Sequence, residues 1–173
     1  WLLTALWFLF PTTSYTATVD VFGEANLSEN TLSVNIYANT AANILSFGIK
    51  LTYSAADLTV TSVERNNTIW YFGNASTTYP YITPDSSIQG TVTIIGGLLN
   101  TSNPTGGVTG QKILLATVNF NRKNTSAPSL SLSYAKAAPY KNFVSTTGTV
   151  YDDVSQGVSF SVSFITAPTV TTT

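Results

Sequence analysis

The chain has 173 residues, seven Lys and Arg against eight Asp and Glu, and neither His nor Cys. A chain of this length suits one domain that buries roughly two thirds of its unfolded surface, so no disulfide staple is required. Only 9% of the residues are charged, at a net charge of −1, which excludes an electrostatic footprint for nucleic acid or an anionic membrane. Lack of His and Cys removes the Ser-His-Asp triad, the cysteine nucleophile and the common zinc sites. Ser, Thr, Asn, Val and aromatics stand where a helical protein carries Lys, Glu and Ala, a composition that favours an all-β domain outside the cell or on its surface.

Residues 1–17 begin with WLLTALWFLF, an uncharged apolar run followed by Pro11 and the small polar Thr12, Thr13 and Ser14. The run has the length of a signal-peptide core and is too short to span a bilayer. Two readings stand: a leader cleaved after Ser14 or Ala17, or an apolar anchor or donated strand kept in the mature chain, which would be the protein's only route to a membrane.

Ala17 to Phe22 alternates, with Val19 and either Val21 or Phe22 inward, and Gly23 to Asn30 reads as a polar turn. Leu32, Val34 and Ile36 mark a second strand that ends in an Asn-rich loop, Asn39 to Asn43. The segment Ile44 to Arg65 is the nucleus. Leu45, Phe47, Ile49, Leu51 and Tyr53 take every second position, with Ser46, Gly48, Lys50 and Thr52 between them toward water, and Leu58, Val60 and Val63 continue after a Ser-Ala-Ala-Asp turn. Period 2 on both sides of a short turn reads as an amphipathic hairpin.

An Asn66-Asn67 turn leads to Ile69–Phe72, and Pro80, Pro84, Asp85 and Ser86 form a long loop that holds Tyr79 and Tyr81. Thr91 to Ile95 is a β-branched strand ended by Gly96-Gly97, and a second loop covers Asn100 to Gly110. Ile113 to Phe120 is apolar on both faces, as in a central strand. Leu130, Leu132 and Tyr134 alternate, Asn142 to Thr147 is irregular, Thr149 to Tyr151 is short, and Val158, Phe160, Val162 and Phe164 close the series. The sum is an all-β jelly-roll β-sandwich of about nine strands, immunoglobulin-like in general appearance. Residues 165–173 are a Pro/Thr-rich linker, leaving 18–164 as the domain.

The order of four segments resembles the cohesin family, the noncatalytic modules of cellulosome scaffolds and other exported proteins. They are FGIKLTYSAADLTVTSVE at Phe47 to Glu64, GTVTIIGG at Gly90 to Gly97, TGQKILLATVNF at Thr109 to Phe120, and VYDDVSQGVSFSV at Val150 to Val162. The resemblance covers residues 18 to 164 and implies the jelly-roll sandwich, a dockerin-like protein partner, and kinship with carbohydrate-binding modules of similar topology. Two positions depart from it. The turn Tyr53-Ser54-Ala55-Ala56 lacks the family's frequent Asp-Pro, and Gly48 stands where dockerin-binding members place an acidic contact.

Candidate sites are few. The acids Asp20, Glu24, Glu29, Asp57, Glu64, Asp85, Asp152 and Asp153 fall mostly in turns. No two of them suggest the paired carboxyls of glycoside hydrolysis, so no enzyme is expected. Asp152 and Asp153 are the one candidate for Ca²⁺, against the plainer reading of a turn before the last strand, and no other cofactor is indicated. Trp70, Tyr71, Tyr79 and Tyr81 are the candidate ligand-binding rings, since exposed aromatic faces pack on sugars, against the reading that Trp70 and Phe72 are core. Asn-X-Ser/Thr at Asn26, Asn66, Asn74, Asn100 and Asn124 points to surface loops more than to glycosylation. The function expected is therefore an exported noncatalytic module for protein–protein or polysaccharide binding, with an extracellular filament or surface-layer subunit as the alternative. N-terminal sequencing of chains secreted by an exporting host separates these: cleavage of the leader gives mature chains that begin near Tyr15 or Thr18, whereas the filament reading requires residues 1–17 to be retained.

Overall fold

The structure, a computed structural model, describes residues 19–70, 84–97, 106–135 and 143–151, and the backbone of 160–164. These residues form nine strands and no helix: β1 Val19–Leu27, β2 Thr31–Tyr53, β3 Leu58–Arg65, β4 Thr91–Gly97, β5 Val108–Arg122, β6 Leu130–Tyr134, β7 Phe143–Ser145, β8 Val150–Tyr151 and β9 Phe160–Phe164. The expected all-β sandwich of about nine strands is what the chain forms.

β2 is the axis of the fold. Its first half pairs antiparallel with β1 on one side, from Val19↔Thr40 to Leu27↔Leu32, and with β5 on the other, from Thr31↔Asn121 to Ile44↔Val108. Its second half pairs antiparallel with β4 (Ser46↔Gly97 to Thr52↔Thr91) and with β6 (Ile49↔Tyr134 to Tyr53↔Leu130), while β7 joins at Ile44 and Ser46. β3 extends the first layer beyond β5, and β9 lies parallel to β1 at its other margin. One strand therefore belongs to both layers. Side chains close the space between them: the Tyr53 ring meets Phe120 of β5 edge-on at 5.1 Å, and the buried Arg65 of β3 donates from Nη1 to the Ile95 carbonyl of β4 at 2.9 Å.

Alternation explains the core. Val19, Val21, Ala25 and Leu27 of β1, Leu32, Val34, Ile36 and Ala38 of β2, and Val118 and Phe120 of β5 are all buried, as period 2 requires. Val21 points inward, leaving Phe22 half-buried on the outer side. In the second half of β2, Phe47, Ile49, Leu51 and Tyr53 are buried against Val92 and Ile94 of β4 and Leu132 and Tyr134 of β6. The Phe47 ring is the centre of an aromatic wedge, edge-on to Trp70 at 4.9 Å and stacked on Phe143 at 5.8 Å.

Four sequence expectations need correction. Gly23 to Leu27 continues β1 and is no turn; the turn is only Ser28 to Asn30, closed by the Ser28 N–H bonding to the Thr31 carbonyl at 2.9 Å. Asn39 to Asn43 is strand and corner, not loop: register shifts against β5 fall between Ile36 and Tyr37, Ala38 and Thr40, and Thr40 and Ile44. Polar side chains there replace ladder bonds, since Thr40 Oγ1 accepts from the Ala42 N–H at 3.1 Å and Asn39 Oδ1 accepts from the Lys112 N–H at 2.7 Å. The run Ile44 to Arg65 is not a hairpin, because β3 pairs with β5 and not with β2. The Ser-Ala-Ala-Asp turn is an arch that carries the chain from one layer to the other. The segment from Phe143 to Ser145, expected to be irregular, is a short strand between β2 and β8.

The arch is held from the loop after β5. Lys123 donates from its backbone N–H to the Asp57 carbonyl at 2.7 Å and from Nζ to the Ala55 carbonyl at 2.6 Å, and Asn124 Nδ2 donates to the Asp57 carboxylate at 2.7 Å. Arg122 ties the neighbouring turn, donating to the Ser28 carbonyl at 2.9 Å and the Ser126 carbonyl at 3.1 Å. Hydrogen bonds from Ser54 and then Asn124, with the Lys123 charge behind them, hold the Asp57 carboxyl below its ordinary value.

Two outcomes follow from this packing. A methyl group on Gly96, which pairs with Phe47, would overlap the Phe47 ring. Gly96→Ala is therefore expected to cost about 1–3 kcal/mol by urea unfolding, whereas Gly106→Ala, with open space around it, stays within about 0.5 kcal/mol. A carboxyl whose folded pKa is depressed stabilises the fold above its unfolded value, and that contribution disappears as pH falls through the folded one. Thermal melts should show the wild-type chain losing its advantage over Asp57→Asn as pH falls below the ordinary carboxylate value of 3.8; an equal gap at pH 6 and pH 2.5 would refute the clamp.

Candidate functional site

Of the candidate ligand-binding rings, Trp70 is only 1% exposed and sits in the wedge, its Nε1–H donating to the Leu114 carbonyl at 3.4 Å. A ring enclosed by Phe47 offers no face to a sugar. Tyr71, Tyr79 and Tyr81 lie outside the described residues, as do Asp152 and Asp153, residues 1–17 and 165–173. Among the described residues no group of three or more acids, His or Cys converges on a metal position. Of the Asn-X-Ser/Thr sites, Asn26 belongs to strand β1 and no loop, Asn66 Nδ2 donates to the Leu114 carbonyl at 3.2 Å, and Asn124 lies in the exposed clamp loop. Asn74 and Asn100 are outside the described residues.

The two layers present outer faces of different character. On the first, several outward side chains of β1, β2, β3 and β5 pair with one another. Thr117 Oγ1 donates to Asn35 Oδ1 at 2.8 Å, Asn119 Nδ2 donates to Ser62 Oγ at 2.9 Å, and Phe22 stacks on Tyr37 at 5.5 Å. Lys112 lies 5.0 Å above the Tyr37 ring and pairs with Glu24 at 2.7 Å, a contact that raises the ammonium's pKa. Lys112 takes φ 52°, a left-handed conformation at the bulge where β5 loses register with β2.

The outer face of the second layer is built from short hydroxyls around one cation. Lys50 stands opposite Thr93 of β4 and Ser133 of β6; Thr52 stands opposite Thr91 and Ser131. The array follows from the sequence: each of the three strands alternates an inward apolar residue (Leu51, Val92, Leu132) with an outward Lys, Thr or Ser. Asp85 extends the first row, its backbone bridging to Thr93 in both directions at 2.8 Å. Bonds from Ser87 hold the Asp85 carboxyl below its ordinary value. Thr91 Oγ1 donates to the Ile88 carbonyl at 3.2 Å, while Lys50, Thr52, Thr93, Ser131 and Ser133 make no side-chain hydrogen bond among the described residues. Neighbouring strands lie about 4.8 Å apart and alternate residues about 6.7 Å apart, so the array is a flat patch with regularly placed donors and acceptors.

Gly48 corrects the sequence picture. Alternation puts it on this same outer side, yet it is buried, pairing with Ile95 while its carbonyl accepts from the Ala135 N–H at 3.1 Å. A residue with no side chain between strands on both sides keeps little surface. The accessible part of the face therefore begins at Lys50. Sequence reading placed Lys50 and Thr52 toward water but did not join them to Thr91, Thr93, Ser131 and Ser133, because strand neighbours are not written in the order of the chain.

No family model matches the sequence, and no curated protein matches it. Solved structures do. The sixth cohesin from Acetivibrio cellulolyticus scaffoldin B, in complex with a Cel5 dockerin, superposes with a TM-score of 0.59 at 16% identity, covering 86% of this chain and 99% of that one. A type I cohesin of Clostridium thermocellum, from the Coh-OlpC–Doc435 complex, gives 0.56 at 12% identity over 87% and 97%. The non-cellulosomal cohesin from the archaeon Archaeoglobus fulgidus gives 0.54 at 11% over 87% and 93%. Coverage of nearly the whole of each module by one continuous set of strands fixes the architecture: the chain has the cohesin fold.

Proposed function

We propose that the chain is an exported, noncatalytic docking module that receives a dockerin-like protein on the outer face of β4, the second half of β2, and β6. The observation that carries this reading is the flat array of short polar side chains around Lys50 on that face. There Lys50, Thr52, Thr93, Ser131 and Ser133 make no side-chain hydrogen bond among the described residues and keep that capacity for a partner. A flat sheet face of short side chains lets a partner approach closely, and specificity then comes from hydrogen bonds whose partners are already positioned by the ladder. Two of the cohesins of similar fold were solved with a dockerin bound, which supports the same class of partner here. The second layer is also where the sequence resemblance places the binding strand, with Lys50 as the first open position after the buried Gly48.

The test is a displayed panel of dockerin modules screened against the folded chain. Binding by a panel member is expected to weaken at least about tenfold with Thr93→Arg, which puts a long cation in the middle of the face. Thr59→Arg, at an exposed position of β3, should leave it unchanged. Loss with Thr59→Arg and not with Thr93→Arg would move the site to the other layer. Retention on cellulose or xylan that survives Thr93→Arg and is lost in Tyr81→Ala would assign polysaccharide binding instead.

A further inference from the structure

We infer that the partner of this face carries one acidic and one basic side chain about 10 Å apart, the acid set against Lys50 and the base against Asp85; the inference rests on the docking reading above. The row that crosses the sheet runs Asp85, Thr93, Lys50, Ser133, so the two charges stand two strands apart with a threonine between them. Two strand spacings place their backbones about 9.6 Å apart. That is close to the Debye length in physiological salt, and the two charges neutralise each other weakly. Lys50 forms no ion pair among the described residues. Asp85 Oδ1 accepts a hydrogen bond from the Ser87 N–H at 2.9 Å, which fixes the carboxylate while leaving its charge intact.

A face with this row has a direction. A partner bearing only hydroxyls would strand both charges under the interface, and burying an unpaired charge is costly. A partner with two like charges would match one end and repel the other. A helix lying across the strands supplies the match with an acid and a base seven residues apart, about 10.5 Å along its axis. An acidic polysaccharide fits less well. It repeats its charge at every few ångströms, whereas among the described residues Lys50 is the only cation in the array and Asp85 would repel the chain; nor do the described residues of the array include an aromatic ring for a sugar to stack on.

The experiment uses a yeast-displayed helical scaffold with two surface positions seven residues apart varied among Asp, Glu, Lys, Arg and Gln and the face between them varied among neutral residues. It is selected in parallel on the full chain and on its Lys50→Glu and Asp85→Lys variants, each checked by thermal melting. Selection on the wild-type chain is expected to yield one acid and one base; on Lys50→Glu, two bases; on Asp85→Lys, two acids. Binders from the wild-type selection should weaken about five- to tenfold on the milder Lys50→Gln and Asp85→Asn variants, which also serve if a charge reversal fails to fold. Identical charge composition from wild-type and Lys50→Glu selections would overturn the inference while leaving the face a docking site. Binders indifferent to Thr93→Arg would instead remove the docking reading itself. Retention on polygalacturonate that is abolished by Lys50→Gln would give the face to an acidic polysaccharide and overturn the inference as well.

Discussion

Everything in this fold depends on how 23 consecutive residues of β2 can stay in strand conformation. Fully extended they would reach about 75 Å, nearly twice the diameter of about 40 Å expected for a domain of this size. The strand must therefore turn a corner without leaving backbone groups unpaired. It does so between Ala38 and Ile44, where register with β5 shifts twice and partners change from β1 and β5 to β4, β6 and β7. Polar side chains take up the slack. Thr40 Oγ1 bonds to both the carbonyl and the N–H of Ala42, at 2.8 and 3.1 Å, Thr109 Oγ1 donates to the Thr40 carbonyl at 2.8 Å, and the Asn43 carbonyl accepts from the Thr146 N–H at 2.8 Å. A bulge that bends a strand leaves ladder groups free, and these contacts supply the missing partners.

Once β2 has bent, the two layers must be filled, and the aromatic wedge shows how tightly. Phe47 occupies the space over Gly96 that any side chain there would take, with Trp70 edge-on and Phe143 stacked against it. Trp70 in turn is fixed through Leu114, whose carbonyl also accepts from Asn66. The β5 irregularity at Leu115 thus has a use: the carbonyl beside it is turned to the Asn66–Trp70 turn. Arg65 spans the same region from the other side, buried and with its pKa lowered by desolvation, its guanidinium bonded to the Ile95 carbonyl and to Asn67. These links run from β3 through β5 to β4, so the wedge and the corner brace one another.

The sequence made period 2 legible almost throughout, since alternation alone identified Val34, Ile49, Leu51, Leu132 and Tyr134 as inward. What it concealed were the places where a polar residue serves the backbone. Asn39, Thr40 and Asn43 have the composition of a loop because a bulged corner and a loop both need side chains that bond to main chain. Likewise Ser54 to Asp57 has the composition of a hairpin turn, and only long-range pairing of Leu58 to Arg65 with β5 distinguishes an arch. Trp70 posed the opposite difficulty. An aromatic beside turn residues reads equally as an exposed platform or a core plug, and the choice is made by Phe47, more than twenty positions earlier in the chain.

The same logic separates the two outer faces. Inward positions are constrained by packing, so a strand's outward positions are where a sequence can vary at small cost to stability. On β1, the first half of β2, β3 and β5 some of those positions close into Asn35–Thr117, Asn119–Ser62 and Glu24–Lys112 pairs, each with an Asn, Glu or Lys that reaches its partner, while Asp20, Ser33, Glu64 and Asn121 make no side-chain hydrogen bond among the described residues. On β4 and β6 they bear Thr and Ser, with no Asn or Glu beside them for a hydroxyl to pair with. Pairing on the first layer therefore goes with its longer side chains, and in the array on the second only Lys50 has that reach. Lys50 is long enough to have found an acid, but in its own row the residues on either side of it are Thr93 and Ser133, and the acid of that row, Asp85, lies a further strand away. A charge held at that distance from its counterpart adds little to folding and leaves both ends of the row available to a partner.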